Sequence, residues 1–169
     1  HSWGGYAVAN VLHFDFDIKA VVSVAAPSSA NEMIFEQVER SLGVFGLTQR
    51  PFLSLYQSLL FGKYGKFDAI DVLVDTEVHV MIVHGKEDEM VNYQKSAIFA
   101  KHDSITNPNV IFVLREEAGR NGHNNLFRSE DAIRYIDEIN LDYRALYDLH
   151  NQNIPYEINQ EFYASVDRF

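Results

Sequence analysis

The sequence predicts an α/β fold in which a parallel sheet is buried between helices and interrupted by a helical insertion. Three short, almost unbroken apolar runs lie near residues 18–26, 78–84 and 109–115, as expected of strands covered on both faces. Segments with apolar residues at helical spacing separate and follow these runs, and strands alternating with helices build parallel sheets. Of the 169 residues, 47% are apolar and 22% charged. That is the balance of an ordinary folded domain, and it excludes disorder, collagen or a coiled coil as the whole fold.

Taken in order, Tyr6 to Leu12 is apolar, rich in alanine and free of breakers, which predicts a helix starting at the Gly4-Gly5 pair. Asp15 and Asp17 mark a loop. The first strand run, Ile18 to Ala26, is β-branched and small, and stops at Pro27. Residues 28–67 break the strand–helix alternation with two helical patterns, 31–42 and 49–61, each followed by a glycine placed to end it, Gly43 and Gly62. An insertion of this length between sheet strands reads as a helical cap. It carries Phe35, Phe45, Phe52, Tyr56, Phe61, Tyr64 and Phe67, read first as packing between insertion and body and second as a substrate lining.

The second run, Val78 to His84, and the third, Val110 to Leu114, enclose Asn92–His102, where Tyr93, Ala97 and Ala100 are helically spaced behind an asparagine able to cap. A helix is expected there. Ser129 followed by Glu130 and Asp131 is a strong helix start. Ile133, Ile136, Ile139, Tyr143 and Leu146 then carry the pattern to about Leu149. A last helix is expected over 155–166, opened by Pro155 and anchored by Phe162.

Twenty-four acids against fourteen bases leave a net charge of −10, which disfavours nucleic acid or an anionic membrane as partner. The acidity is uneven. Residues 1–70 hold six acids and five bases, net −1, and 71–169 hold eighteen and nine, net −9; the excess reads as a solvated surface. With no cysteine, disulfides, zinc–thiolate sites, iron–sulfur clusters and a cysteine nucleophile are excluded. No run of 18 apolar residues suggests a bilayer span.

Chemistry enters at Ser2, which is followed by Trp3, two glycines and a helical stretch. A nucleophilic serine on a sharp strand-to-helix turn needs small neighbours, because adjacent segments come into contact there. His1-Ser2-Trp3-Gly4 matches the last four positions of the G-x-S-x-G turn. The second strand runs into His84-Gly85-Lys86-Glu87-Asp88, placing an acid after a buried strand, at the sheet edge where open α/β folds bind ligands. The third strand leads to the polar loop Gly119-Arg120-Asn121-Gly122-His123-Asn124-Asn125. Ser2, Asp88 and His123 thus stand in the order Ser, Asp, His, at separations of 86 and 35 residues, an order unlike those of trypsin-like and subtilisin-like enzymes.

On these residues the chain resembles the C-terminal portion of an α/β-hydrolase-fold serine hydrolase, of the esterase, lipase and serine-aminopeptidase-like group. The resemblance runs from the turn at Ser2 through His84-Gly85-x-x-Asp88 to Gly122-His123-Asn124. It implies that Ser2 attacks an acyl carbonyl, that His123 takes and returns the proton, and that Asp88 holds the imidazole in its working tautomer. The backbone N–H of Trp3 would supply one oxyanion donor. Residues 1–27 and 68–169 would form the hydrolase core and 28–67 the cap or lid. Further strands are expected upstream of His1, with an open sheet edge beside Ser2.

The expected substrate is a small-molecule ester, or secondarily an amide or peptide, with an apolar group favoured by the aromatic insertion. No cofactor or metal is expected. His1, His84, Asp88 and His123 are the residues that a metal site would use, but they lack the H-x-x-x-H spacing that puts two ligands on one helix face. Acyl transfer on the same triad and a non-catalytic binding module are the alternatives, and the cytoplasm is the default compartment. Glu87 and Glu89 compete with Asp88 for the acid's role. His84 is expected to pack or hydrogen-bond at the strand end, and His1 to support the turn beneath Ser2.

Overall fold

The computed structural model describes residues 1–151, with side chains through residue 145; the helix expected over 155–166 around Phe162 lies outside the described residues. The chain divides into two compact units, His1–Phe127 and Arg128–Phe169. In the first unit the elements run in the order α1 (Trp3–Asn10), β1 (Ala20–Val24), α2 (Ala30–Leu42), α3 (Val44–Phe61), α4 (Ala69–Leu73), β2 (His79–Gly85) and β3 (Val110–Arg115), joined by turns and short 3₁₀ segments. The second unit contains α5 (Glu130–Asn151). Its start is fixed as its sequence suggests, for the Ser129 Oγ accepts the amide of Ala132 at 3.1 Å.

The three strands form one parallel sheet in the order β1-β2-β3. Its register pairs Val22 with Met81 and Met81 with Ile111, and one residue earlier Val21 with Val80 and Val80 with Val110. Because side chains alternate across a sheet, these two rows face opposite ways. Val21, Val80, Val110 and Ile82 are buried with Ala9 of α1, Ala69 and Leu73 of α4, Ile98 and Ile105. Among the described residues, Val22, Met81 and Ile111 are 55%, 40% and 56% exposed. On that second face, cover begins at the C-terminal ends, where Val24 and Val83 meet Ala25 and Leu126. The apolar run is continuous because these ends, which carry the candidate site, are packed on both sides.

The helix expected over 92–102 is corrected. Asn92 does cap, its side chain accepting the Gln94 amide at 2.8 Å, but what it caps is a turn, closed by the Lys95 amide on the Asn92 carbonyl at 3.0 Å. A 3₁₀ helix follows over Ile98–Ser104. The chain cannot continue as an α-helix through this stretch because tertiary partners claim its backbone. Ser96 gives its carbonyl to the Ser28 amide, and Ile98 gives its amide to the Ala26 carbonyl.

In the insertion, α2 starts behind Ser29, whose side chain accepts the Glu32 amide at 3.2 Å. It ends at Gly43, where φ is +57°, a conformation suited to glycine. Helix α3 starts at Val44, five residues before the expected Gln49, so Pro51 lies inside it and leaves the Leu47 carbonyl without its helical donor. Among the described residues, α3 packs on α2 and on the 3₁₀ segment after it. Met33 of α2 joins Val91, Ala97 and Phe99 in a small cluster, which fastens α2 to the segment that follows β2.

Candidate active site

Ser2 stands immediately before α1 with φ +54° and ψ −126°. For a residue with a Cβ this is a strained backbone of the kind concentrated at functional sites, and it is the geometry a sharp turn into a helix requires. The turn is tied to the sheet by the Ser2 amide, which donates to the Val24 carbonyl at 2.8 Å. In the described sheet β1 lies at one end of the order β1-β2-β3. The close approach that demands a missing side chain falls on Gly5, where a Cβ would sit 2.8 Å from the Ala26 Cβ and 2.9 Å from the Val24 carbonyl oxygen. Gly4, the glycine of the motif, has open space around its α-carbon among the described residues.

Asp88 sits on the loop that leaves β2. Its Oδ1 accepts the amides of Met90 at 2.9 Å and Val91 at 2.8 Å. Its Oδ2 lies 2.8 Å from the His123 Nδ1 and 3.2 Å from the His84 Nε2. Asp88 is 5% exposed, whereas Glu87 and Glu89 on either side are exposed, so the geometry brings Asp88 and not its neighbours to His123. Burial by itself raises the Asp88 pKa; the donors from His84, the Val91 amide and His123 outweigh it and hold the carboxyl below the ordinary carboxylate range.

A close backbone crossing places His123 against this acid. The Glu87 amide donates to the Asn121 carbonyl at 2.8 Å and the Lys86 amide to the Arg115 carbonyl at 3.0 Å. Gly85 lies directly under the crossing, for a Cβ there would come within 2.2 Å of the Asn121 carbonyl oxygen. The Asn125 side chain accepts the Gly122 amide at 2.7 Å and holds the turn that presents His123.

His1 departs from its expected role. Its Nε2 donates to the His123 carbonyl at 2.7 Å, and the two rings lie 4.7 Å apart. The residue preceding Ser2 therefore grips the loop of His123 rather than the turn beneath Ser2. This contact sets the residue before Ser2 beside His123. Trp3, whose N–H is the expected oxyanion donor, opens α1, where first-turn amides have no partner within the helix.

Helix α2 reaches the acid's loop from its other side. Gln37 donates to the Met90 carbonyl at 3.2 Å and Arg40 donates to the Glu89 carbonyl. Glu36, 4% exposed, accepts the Asn92 amide at 3.3 Å and the Ser96 hydroxyl, and pairs with Arg40. Sequence reasoning missed this clasp, because the partners of α2 on that loop are 49 to 60 residues away in the chain. It also assigned His84 no specific partner, although the four-residue step from His84 to Asp88 within His-Gly-x-x-Asp was visible.

A cavity of about 320 Å³ lies beside α2, lined by Glu32, Glu36, Glu39, Arg50, Lys95 and Lys101 among others; Ser2, Asp88 and His123 do not line it. Among the described residues, no cluster of three or more His, Asp or Glu side chains is arranged to hold a metal ion, and no helix is long and apolar enough to cross a membrane.

No family model matches the chain, and no curated protein matches it. Among solved structures, the chain is similar to a meta-cleavage product hydrolase from Pseudomonas fluorescens, a mutant complexed with acetates, at 15% identity and a TM-score of 0.37. The match covers 89% of this chain and 62% of that one, so the chain spans less than two thirds of that structure's length.

Proposed function

We propose that the chain carries the catalytic residues of a serine hydrolase that cleaves an ester bond, with an amide as the second candidate, through an acyl-enzyme intermediate. Ser2 is the nucleophile. His123 Nε2 takes its proton and later returns it to the leaving group, while His123 Nδ1–H donates to Asp88, which fixes the tautomer and stabilises the imidazolium as it forms. The Trp3 amide faces the developing oxyanion from the N-terminus of α1, where the helix dipole also favours negative charge. Residues 28–67 form a cap, tethered to the acid's loop through α2.

The observation that carries this reading is the strained Ser2 backbone at the head of α1, in a chain where the residue before it touches the base of a buried acid–imidazole pair. A fluorophosphonate probe tests it. Covalent labelling of Ser2 that disappears in Ser2→Ala and falls by about a thousandfold or more in rate with His123→Ala is the expected result. An unlabelled wild-type protein, or equal labelling of Ser2→Ala, refutes the reading.

A further inference from the structure

The geometry points to His84 as a positioning residue for the Asp88–His123 pair: its Nε2–H fixes the orientation in which the Asp88 carboxylate meets His123. His84 is the penultimate residue of β2 and its side chain is fully buried. Nε2 lies 2.9 Å from the Val91 carbonyl and 3.2 Å from the Asp88 Oδ2. Both neighbours are acceptors, so Nε2 carries the hydrogen; it donates to the Val91 carbonyl and lies against the Asp88 Oδ2. Nδ1 is buried and meets no hydrogen-bond partner. Packing alone therefore does not account for a histidine here, since a phenyl ring would fill the space without leaving a buried nitrogen unsatisfied. What the imidazole adds is the single donor at Nε2.

That donor completes a set. An ionised carboxylate offers about four acceptor sites. At Asp88 the Oδ1 takes the Met90 and Val91 amides and the Oδ2 takes His123, with the His84 Nε2 standing 3.2 Å from the same Oδ2. The His84 Nε2 lies against the remaining acceptor side of Oδ2, which would otherwise face a buried place with no polar neighbour. Val91 closes the circuit, giving its amide to Asp88 and its carbonyl to His84, so strand, acid and loop are locked as one piece.

The catalytic consequence rests on the serine-hydrolase reading; the contact of His84 with Asp88 does not. The titratable groups on the carboxylate are His84 from β2 and His123 from the loop after β3. His1 faces His123, Glu87 and Glu89 flank Asp88 on its own loop, and Arg40 of α2 meets that loop at the Glu89 carbonyl.

The test compares His84→Phe, which keeps the volume and removes the donor, with His84→Gln, whose amide nitrogen reaches about as far as Nε2. The full chain is used. In His84→Phe the carboxyl-carbon titration of Asp88 followed by NMR moves up by about one pH unit, and kcat falls about tenfold with KM unchanged. In His84→Gln both return most of the way. Should His84→Phe fail to fold, His84→Asn, a polar side chain too short to reach Asp88, takes its place against His84→Gln. An Asp88 midpoint equal to wild type in a folded variant lacking the donor overturns the inference, as does a glutamine variant no better than phenylalanine. If the wild type is not labelled by fluorophosphonate, the hydrolase reading falls, and the Asp88 midpoint still upholds or overturns the role of His84.

Discussion

Single atoms at Gly85 decide whether the acid and the base meet at all. The backbone of Asn121 passes so close to its α-carbon that a methyl group would stand 2.2 Å from a carbonyl oxygen, and the listing of that loop away from β2 would carry His123 with it. Gly85→Ala is expected to cost about 1–3 kcal/mol of stability, the range for forcing extra atoms into a packed site. It should also slow fluorophosphonate labelling of Ser2 far more than that stability loss would by itself. Chemical denaturation alongside labelling kinetics checks both, and a variant that labels at the wild-type rate would show that the crossing does not hold the base. The glycine of His-Gly-x-x-Asp was readable in the sequence, but its reason was not, because Asn121 lies 36 residues away.

At the scale of elements, the two insertion helices play unequal parts. Helix α2 holds the acid's loop through Glu36, Gln37 and Arg40, whereas α3 packs on α2 and leaves Val44, Phe45, Phe52 and Leu59 more than two thirds exposed. Loss of the α2 contacts should therefore reach Asp88 and His123, and loss of α3 should not. We expect Glu36→Ala to destabilise the protein by about 1–3 kcal/mol, since Ser96 and Arg40 lose a buried partner, and to reduce labelling of Ser2. Replacing 44–61 by a short flexible link should spare labelling by a small probe and change the preference among larger esters. Equal losses of labelling from both changes, measured side by side, would mean that the cap acts as one body.

The strands were legible because each is a local apolar run, and the pairing of Asp88 with His123 because each sits in a polar loop that follows a strand of the same parallel sheet. The 3₁₀ turn at 98–104 was not, since there the helical spacing of Tyr93, Ala97 and Ala100 yielded to partners at Ser28 and Ala26. The buried Glu36 was hidden for a similar reason: an amphipathic helix shows a glutamate as a solvent residue until the chain that folds against it is known.

For the molecule as a whole, Asp88 ties stability to pH. Its folded pKa lies below the unfolded value near 4, so between the two the unfolded chain holds the proton more tightly and stability rises with pH. This contribution is present above about pH 4 and is lost as pH falls through the folded value. Acid denaturation of Asp88→Asn should accordingly show a flatter dependence below pH 4 than the wild type, and an unchanged slope would show that Asp88 is not held low. The same substitution should lower turnover strongly by favouring the wrong tautomer of His123.

The crossing of Lys86 and Glu87 with Arg115 and Asn121 has one more consequence, for anyone wishing to redesign the protein. Two loops that share backbone hydrogen bonds and a glycine-sized gap are a single interchangeable part. A graft of either loop alone from another scaffold would meet a mismatched partner, while residues 85–91 and 115–125 moved together would bring their own fit with them.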